Sequence, residues 1–310
     1  MAARPTRVRL VETGPRDGLQ NEPMPVPLAV KLELIERLAA AGLTTIEAGA
    51  FVSPKRVPQM ADSGALYREL PRRAGVSYPA LVPNLAGLEA ALEAGLDSVA
   101  LFVSASEGFS QHNIACSRAD SLVRLAPVAA RARAAGLSLR GYVSCIVACP
   151  YDGAVDPAAV AEMALRLADL GCDEISLGDT LGIATADSVR RVIEAVARRL
   201  PRERIAMHFH DTYGQGIANT LASLEEGIAT FDSAVAGLGG CPFAPGASGN
   251  VATEDLLHLL HGLGCETGID PMAVAVTGAW ISARLGRPYA ARAGRALLAA
   301  AARTEAPIAL

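Results

Sequence analysis

Several things are scarce in this sequence, and each shortage excludes a class of protein. Apolar runs are short, as in ALLAAAA at 296–302, well below the roughly 20 residues a membrane-spanning helix needs. A bilayer-embedded chain is therefore not expected. Lys and Arg number 28 against 32 Asp and Glu, a formal charge of −4. There is no block of basic residues and no basic stripe interleaved with aromatics, so nucleic acid is not an expected partner. Six cysteines in 310 residues are too sparse for a disulfide scaffold, and none forms C-x-x-C, so reduced thiols are expected. The opening MAARPTRVRL carries arginines but no apolar targeting core, and strand-like residues begin by Val8. A cytoplasmic location is the expectation.

With 51% hydrophobic and 19% charged residues over 310 positions, the chain reads as one large globular domain spanning 1–310. Five segments resemble one another: AAGLTTIEAG (40–49), EAGLDSVALF (93–102), AAGLSLRGYV (134–143), DLGCDEISLG (169–178) and EEGIATFDSA (225–234). Each reads as a helix end, a glycine, then a strand. Gly42, Gly95, Gly136, Gly171 and Gly227 sit where a helix needs a left-handed residue before the chain turns back. An amphipathic stretch such as KLELIERLAA, with Leu32, Ile35, Leu38 and Ala39 along one side, precedes the glycine.

Strand-like segments at 7–13, 77–83 and 204–211 bring the number of candidates to eight, separated by helical patterns. Eight βα units predict a TIM (β/α)8 barrel, with roughly 270–310 appended as extra C-terminal helices. The rival is an open doubly wound sheet. Against it, no G-x-G-x-x-G follows the first strand; GPRDGLQNE stands there and is too polar for a pyrophosphate turn.

In a barrel the chemistry belongs to the carboxyl ends of the strands. Those ends bring Arg16 and Asp17 in TGPRDG, Glu47 in TIEAGAF, Asp179 in SLGDTLG, and His208 and His210 in AMHFHDTYGQG. The eighth strand runs into GLGGCPFAPGASGN with Cys241 and Asn250. On a strand, His208 and His210 share one face, with Met207 and Phe209 opposite. Two imidazoles, a carboxylate and an amide oxygen suit a divalent ion such as Mg²⁺ or Mn²⁺, with Asp17, His208, His210 and Asn250 as ligands.

Plainer readings stand beside these. The histidines could be ordinary residues of a half-buried strand, and Asp17 and Asn250 turn residues beside glycines. Arg16 is either a surface ion pair or the holder of a developing oxyanion such as a thioester enolate. Glu47 either fixes Arg16 or is satisfied by a backbone amide. Asp179 either orients a histidine or the substrate, or caps the following helix. Glycines around Cys241 permit a mobile lid bringing a thiol to the chemistry. That loop lacks the Gly-Lys-Ser/Thr ending of a phosphate-binding Walker motif. Cys145 and Cys149 read as packing residues, and His112, His258 and His261 as bland.

These residues carry a resemblance that covers nearly the whole chain. VETGPRDGLQNEP, FVSPKRVPQMAD, LVPNLAGLEAAL, RGYVSCIVACPYDG, EISLGDTLG, HFHDTYGQGIANTL and VAGLGGCPFAPGASGNVATEDLL closely resemble the 3-hydroxy-3-methylglutaryl-CoA lyase family, within the DRE-type TIM-barrel metallolyases. The resemblance implies divalent-metal-dependent cleavage of (S)-3-hydroxy-3-methylglutaryl-CoA into acetyl-CoA and acetoacetate, a reaction that could serve leucine degradation, ketone-body formation or terpene degradation. It also implies metal ligation by Asp17, His208, His210 and Asn250 and enolate stabilisation by Arg16. Glu47 and Asp179 would support the catalysis, and Cys241 would take part in proton transfer. Arg16 and Asn113 would contact the acyl-CoA substrate. Independently of the resemblance, the apolar terminal helices beyond residue 270 point to a homodimer, with nothing in the sequence fixing the subunit count.

The chain departs from the family pattern at Ala50, where a hydroxyl residue is common, at Arg56, where an aromatic is common, and at Gln111 and His112, where lysines occur. The first two departures raise the alternative of a bulkier 3-alkyl substrate. A Claisen-type acyl-CoA/2-oxo acid synthase of the same barrel class is the other alternative, and a non-catalytic acyl-CoA or metal sensor is the rival outside enzymes.

Overall fold

Ten strands alternate with helices in the computed structural model, which describes residues 4–240 and 249–305. The strands are β1 (Arg9–Glu12), β2 (Gly49–Ala50), β3 (Ala80–Leu81), β4 (Ser98–Ser104), β5 (Ser138–Ser144), β6 (Ala148–Cys149), β7 (Gly153–Ala154), β8 (Glu174–Asp179), β9 (Ile205–Phe209) and β10 (Thr230–Ser233). Eight of them form one parallel sheet in the order β1-β10-β9-β8-β5-β4-β3-β2. The sheet closes on itself. Glu12 N donates to Thr45 O at 3.0 Å and Glu47 N donates to Glu12 O at 2.8 Å, joining β1 to the chain just before β2. The result is a TIM (β/α)8 barrel, as the sequence pattern predicts.

The glycines that mark the repeat behave as expected. Gly42, Gly95, Gly136, Gly171 and Gly227 have φ between +75° and +104°, the left-handed region that ends a helix without a Cβ penalty. Helices such as Pro157–Leu170 and Ala186–Ala197 then bury one stripe against the sheet. Val189, Val192, Ile193 and Val196 do so in the second. The strands read as nearly continuous buried runs because helices cover their outer face.

Two details differ from the sequence reading. The second and third barrel strands are only two residues long by ladder pairing, and isolated bridges Thr45↔Ser77 and Glu12↔Ile46 continue the wall before them. In addition, β6 and β7 pair antiparallel as a hairpin after β5, a device that hydrophobic periodicity over so few residues does not reveal. Cys145 and Cys149 border this hairpin and are buried, in keeping with their reading as packing residues. The five described cysteines carry no disulfide.

Helices Pro271–Arg284 and Arg292–Glu305 follow the eighth unit. The first packs on Leu28–Ala40, with the Arg37 guanidinium 4.6 Å from the Trp280 ring centroid. Among the described residues, no helix is long and apolar enough to cross a membrane.

Candidate active site

The chain leaves β1 through a tight turn, Gly14–Gly18, that buries Arg16. Glu12 holds this turn from beneath: its Oε1 accepts from Gly14 N at 2.8 Å and from Val235 N at 2.9 Å. The strand ends of the first and eighth units are thereby fixed to one carboxylate. The turn presents Arg16 and Asp17 to the barrel mouth. Arg16 donates through Nη1 to Asp17 Oδ1 and through Nη2 to Glu47 Oε2, both at 2.7 Å. The guanidinium is 7% exposed and Glu47 is fully buried. This pair is not the surface ion pair weighed from sequence, and Glu47 is set against Arg16. Burial works against the Arg16 charge, but the carboxylates of Glu47 and Asp17 outweigh it and raise its pKa.

Strand β9 and the residue just past its end place His208 and His210 on the barrel's inner side, ring centroids 5.3 Å apart. Both line the central cavity, whereas Met207 and Phe209 belong to the apolar core. The ligand atoms of Asp17, His208 and His210 all lie within 4.8 Å of one another, close enough to hold a metal ion. Asn250 joins them by pairing with His210 in an antiparallel bridge. Its Nδ2 donates to Asp17 Oδ2 at 2.9 Å and to Leu238 O at 3.0 Å. Its Oδ1 is buried without a hydrogen-bond partner. An orphaned amide oxygen beside a carboxylate and two imidazoles makes a hard-to-borderline donor set, so the residues fit the divalent ion expected from sequence.

The electrostatics fit as well. Burial would raise Asp17, but the Arg16 charge, the two imidazoles and the Asn250 amide bring its carboxyl down to about 2. Burial and the neighbouring His208 push His210 down to about 4, so it offers a neutral imidazole. Burial also opposes a charge on His208, yet the Asp232 carboxylate raises its pKa above the ordinary imidazole value.

Asp179 is not the cap of the following helix. Its carboxylate accepts from Ile183 N at 3.3 Å and Ala184 N at 2.9 Å, while Thr185 and Ser188 form the capping box of the next helix. Asp179 thus braces the loop after β8 from a buried position, where desolvation lifts its pKa to about 6. Asn113 lines the cavity from helix Glu107–Ile114. Cys241 lies outside the described residues. The chain just before it, Gly240, also lines the cavity, and Asn21 Nδ2 donates to Gly240 O at 3.1 Å.

Periodicity alone passed over a group of charged residues inside the strands. Arg140 donates to Asp232 and Glu174, Tyr142 to Glu47 at 3.1 Å, and Ser176 to Asp232 at 2.8 Å. The available signal was a charge in the middle of an apolar strand, as in SLRGYV and ATFDSA. Together with the mouth residues they form one connected network under a cavity of about 1080 Å³.

Comparison with known proteins places the chain in a family. The HMGL-like family profile matches residues 7–281. A 3-hydroxy-3-isohexenylglutaryl-CoA/hydroxymethylglutaryl-CoA lyase of Pseudomonas aeruginosa is 58% identical over 297 residues, 96% of this chain and 99% of that protein. The hydroxymethylglutaryl-CoA lyase of Pseudomonas mevalonii is 57% identical over 296 residues, 96% of this chain and 98% of that protein. A crystal structure of hydroxymethylglutaryl-CoA lyase from Pseudomonas aeruginosa superposes with a TM-score of 0.94 at 58% identity, covering 96% of this chain and 99% of that one. With matched families, matched fold and matched length, the chain belongs to the HMGL-like family.

Proposed function

We propose that this chain is a carbon–carbon lyase that cleaves (S)-3-hydroxy-3-methylglutaryl-CoA into acetyl-CoA and acetoacetate with the help of Mg²⁺ or Mn²⁺. The observation that carries the reading is the convergence of Arg16, Asp17, His208 and His210 on one cavity, with Asn250 hydrogen-bonded to Asp17 beside them. The full-length identity to two named lyases supports it.

Asp17, His208, His210 and Asn250 would hold the ion, which when bound makes the tertiary hydroxyl of the substrate easier to deprotonate. Loss of that proton lets the C3 oxygen become a ketone as the C2–C3 bond breaks, and the bonding pair passes into the thioester enolate. Arg16 stands ready for that charge. Held between Asp17 and Glu47, its guanidinium loses little freedom when the oxyanion forms, and it stays charged throughout. With Nδ1 turned to Asp232, His208 has only Nε2 to offer, so it serves as ligand or as proton acceptor and not as both. Cys241 is assigned the proton transfer that turns the enolate into acetyl-CoA.

A second reading concerns substrate range. The relative from Pseudomonas aeruginosa is named for an isohexenyl as well as a methyl substrate, and this cavity has apolar walls including Val52, Leu81 and Phe102, with Arg56 among its lining. A lyase accepting a bulkier 3-alkyl group is consistent with both.

The test is to strip the purified chain with a chelator and follow acetyl-CoA and acetoacetate released from the methyl substrate, with and without Mg²⁺ or Mn²⁺. The same assay is run with a 3-isohexenyl analogue. Metal-dependent release of both products supports the lyase. No release by a folded, metal-loaded chain from either substrate removes the proposal.

A further inference from the structure

Helix Glu107–Ile114 forms one wall of the cavity through Phe109, His112, Asn113 and Ile114. Its eight residues are too few to be stable alone, and only Phe109 and Ser110 are buried. Burial alone therefore fixes this wall weakly. The β6–β7 hairpin, which reaches across from the neighbouring barrel unit, supplies additional contacts. Asp152 at its tip uses Oδ2 to accept from Ser106 Oγ and from Gly108 N, both at 2.7 Å. Ser106 is itself the residue that caps the helix, accepting from Phe109 N at 3.0 Å.

Three further observations point the same way. The Tyr151 ring stacks on His112 with centroids 3.7 Å apart and planes 7° apart. His112 Nδ1 lies 2.8 Å from Gly108 O, which fixes the ring from the other side. Gly108 has no side chain, and a Cβ there would run into the Asp152 carboxylate and Tyr151 Cβ. The hairpin tip is held in turn, because Cys149 Sγ accepts from Tyr151 N and Asp152 N at 3.3 Å each. The hydrogen bonds from Ser106 and Gly108 also draw the Asp152 pKa below its ordinary value.

We infer that Asp152 and the hairpin that carries it are a positioning device for the acyl-CoA site, fixing His112 and Asn113 on the cavity wall without touching the reacting atoms. The inference rests on the acyl-CoA reading of the cavity. Its signature is a loss of substrate binding with the bond-breaking step intact, because the candidate metal ligands Asp17, His208 and His210 lie in the turn after β1 and at the end of β9 and not on this wall.

The experiment compares the full chain with Asp152→Ala, Gly108→Ala and the conservative Asp152→Asn. It measures coenzyme A binding by calorimetry, and KM and kcat for 3-hydroxy-3-methylglutaryl-CoA. Asp152→Ala and Gly108→Ala are expected to weaken coenzyme A binding and raise KM by about five- to tenfold, the scale of one ordinary hydrogen bond at a solvent-exposed carboxylate, with kcat within about twofold. Asp152→Asn, which keeps one acceptor, is expected to recover part of the binding. Folded variants with unchanged KM and coenzyme A affinity overturn the inference, as does a fall in kcat at constant KM. If the unaltered chain binds no coenzyme A and turns nothing over, the acyl-CoA reading itself fails, an outcome distinct from variants that merely match the parent.

Discussion

His208 turns its Nδ1 to the Asp232 carboxylate at 3.2 Å, and Asp232 in turn accepts from Arg140 Nη2 at 2.6 Å, Arg140 Nη1 at 3.1 Å and Ser176 Oγ at 2.8 Å. Burial alone would raise the Asp232 pKa, but Arg140 reverses that and holds the carboxyl well below the usual range. A carboxylate kept ionised can only accept, so His208 must donate from Nδ1 and turn Nε2 toward Asp17 and His210. Asp232 thus settles which nitrogen faces the metal site.

Removing that charge is expected to weaken the metal site without unfolding the barrel. In Asp232→Asn, Arg140 keeps its contact to Glu174 at 2.8 Å, so it is not left unpaired. The affinity for Mn²⁺ measured by calorimetry should fall ten- to a hundredfold, the usual cost of losing an outer carboxylate behind a ligating histidine. An unchanged affinity would break the link between Asp232 and the site.

Arg16→Lys is expected to lower kcat by about a hundredfold or more with little change in KM. A single ammonium cannot reproduce the planar fork that bridges Asp17 and Glu47 at 2.7 Å each, and its charge would be displaced from the developing oxyanion. Steady-state kinetics on the metal-loaded variant check this, and parent-like turnover would remove Arg16 from the transition state.

Cys241→Ser should bind Mn²⁺ as the parent does while kcat drops by about 10²-fold, the scale of a positioned proton donor. Equal turnover by the two proteins would end the assignment of that thiol to proton transfer.

Two buried carboxyls beneath the site give the fold a pH dependence. Burial raises Glu12 to about 7 and Glu254 to about 8, from 4.5 in each case, with mutual repulsion adding to the second. Between pH 4.5 and 8 these two groups therefore bind more protons in the folded chain than in the unfolded one, and the stability they contribute falls as pH rises through that window. Glu254 accepts from Ala236 N at 3.0 Å and from Tyr289 at 2.9 Å. Glu254→Gln keeps an acceptor for the backbone amide and has no proton to lose. Its melting temperature is expected to decline less between pH 5 and pH 8.5 than that of the parent. Calorimetry at several pH values reads this directly, and parallel declines would show that Glu254 does not titrate in that range.

Much of the architecture is legible along the chain because its causes are local. A glycine after each amphipathic stretch marks where a helix stops, and the five positive φ values follow from that chemistry. The spacing of His208 and His210 puts both on one strand face, and both line the cavity. Arg16 and Asp17 are adjacent and lie at the end of a strand. By contrast, Asp179 has the composition of a site residue, but its carboxylate braces a loop. Only the backbone path after β8 distinguishes the two uses.

What the sequence by itself determines here is the period of the pattern, and with it the βα repeat, the barrel, and the rim on which chemistry must lie. What only the tertiary structure decides is which inward residues meet on neighbouring strands. Asp232 sits opposite His208 in the register of β10 and β9, and Arg140 opposite Glu174 in that of β5 and β8. Those partners are separated by 24 and 34 residues in sequence. A strand's alternation tells which face a side chain takes, but the neighbour it finds depends on how the strands stagger when the sheet closes. Closure also brings Asn250 within 2.9 Å of Asp17 from 233 residues away, completing a donor set that no local spacing contains.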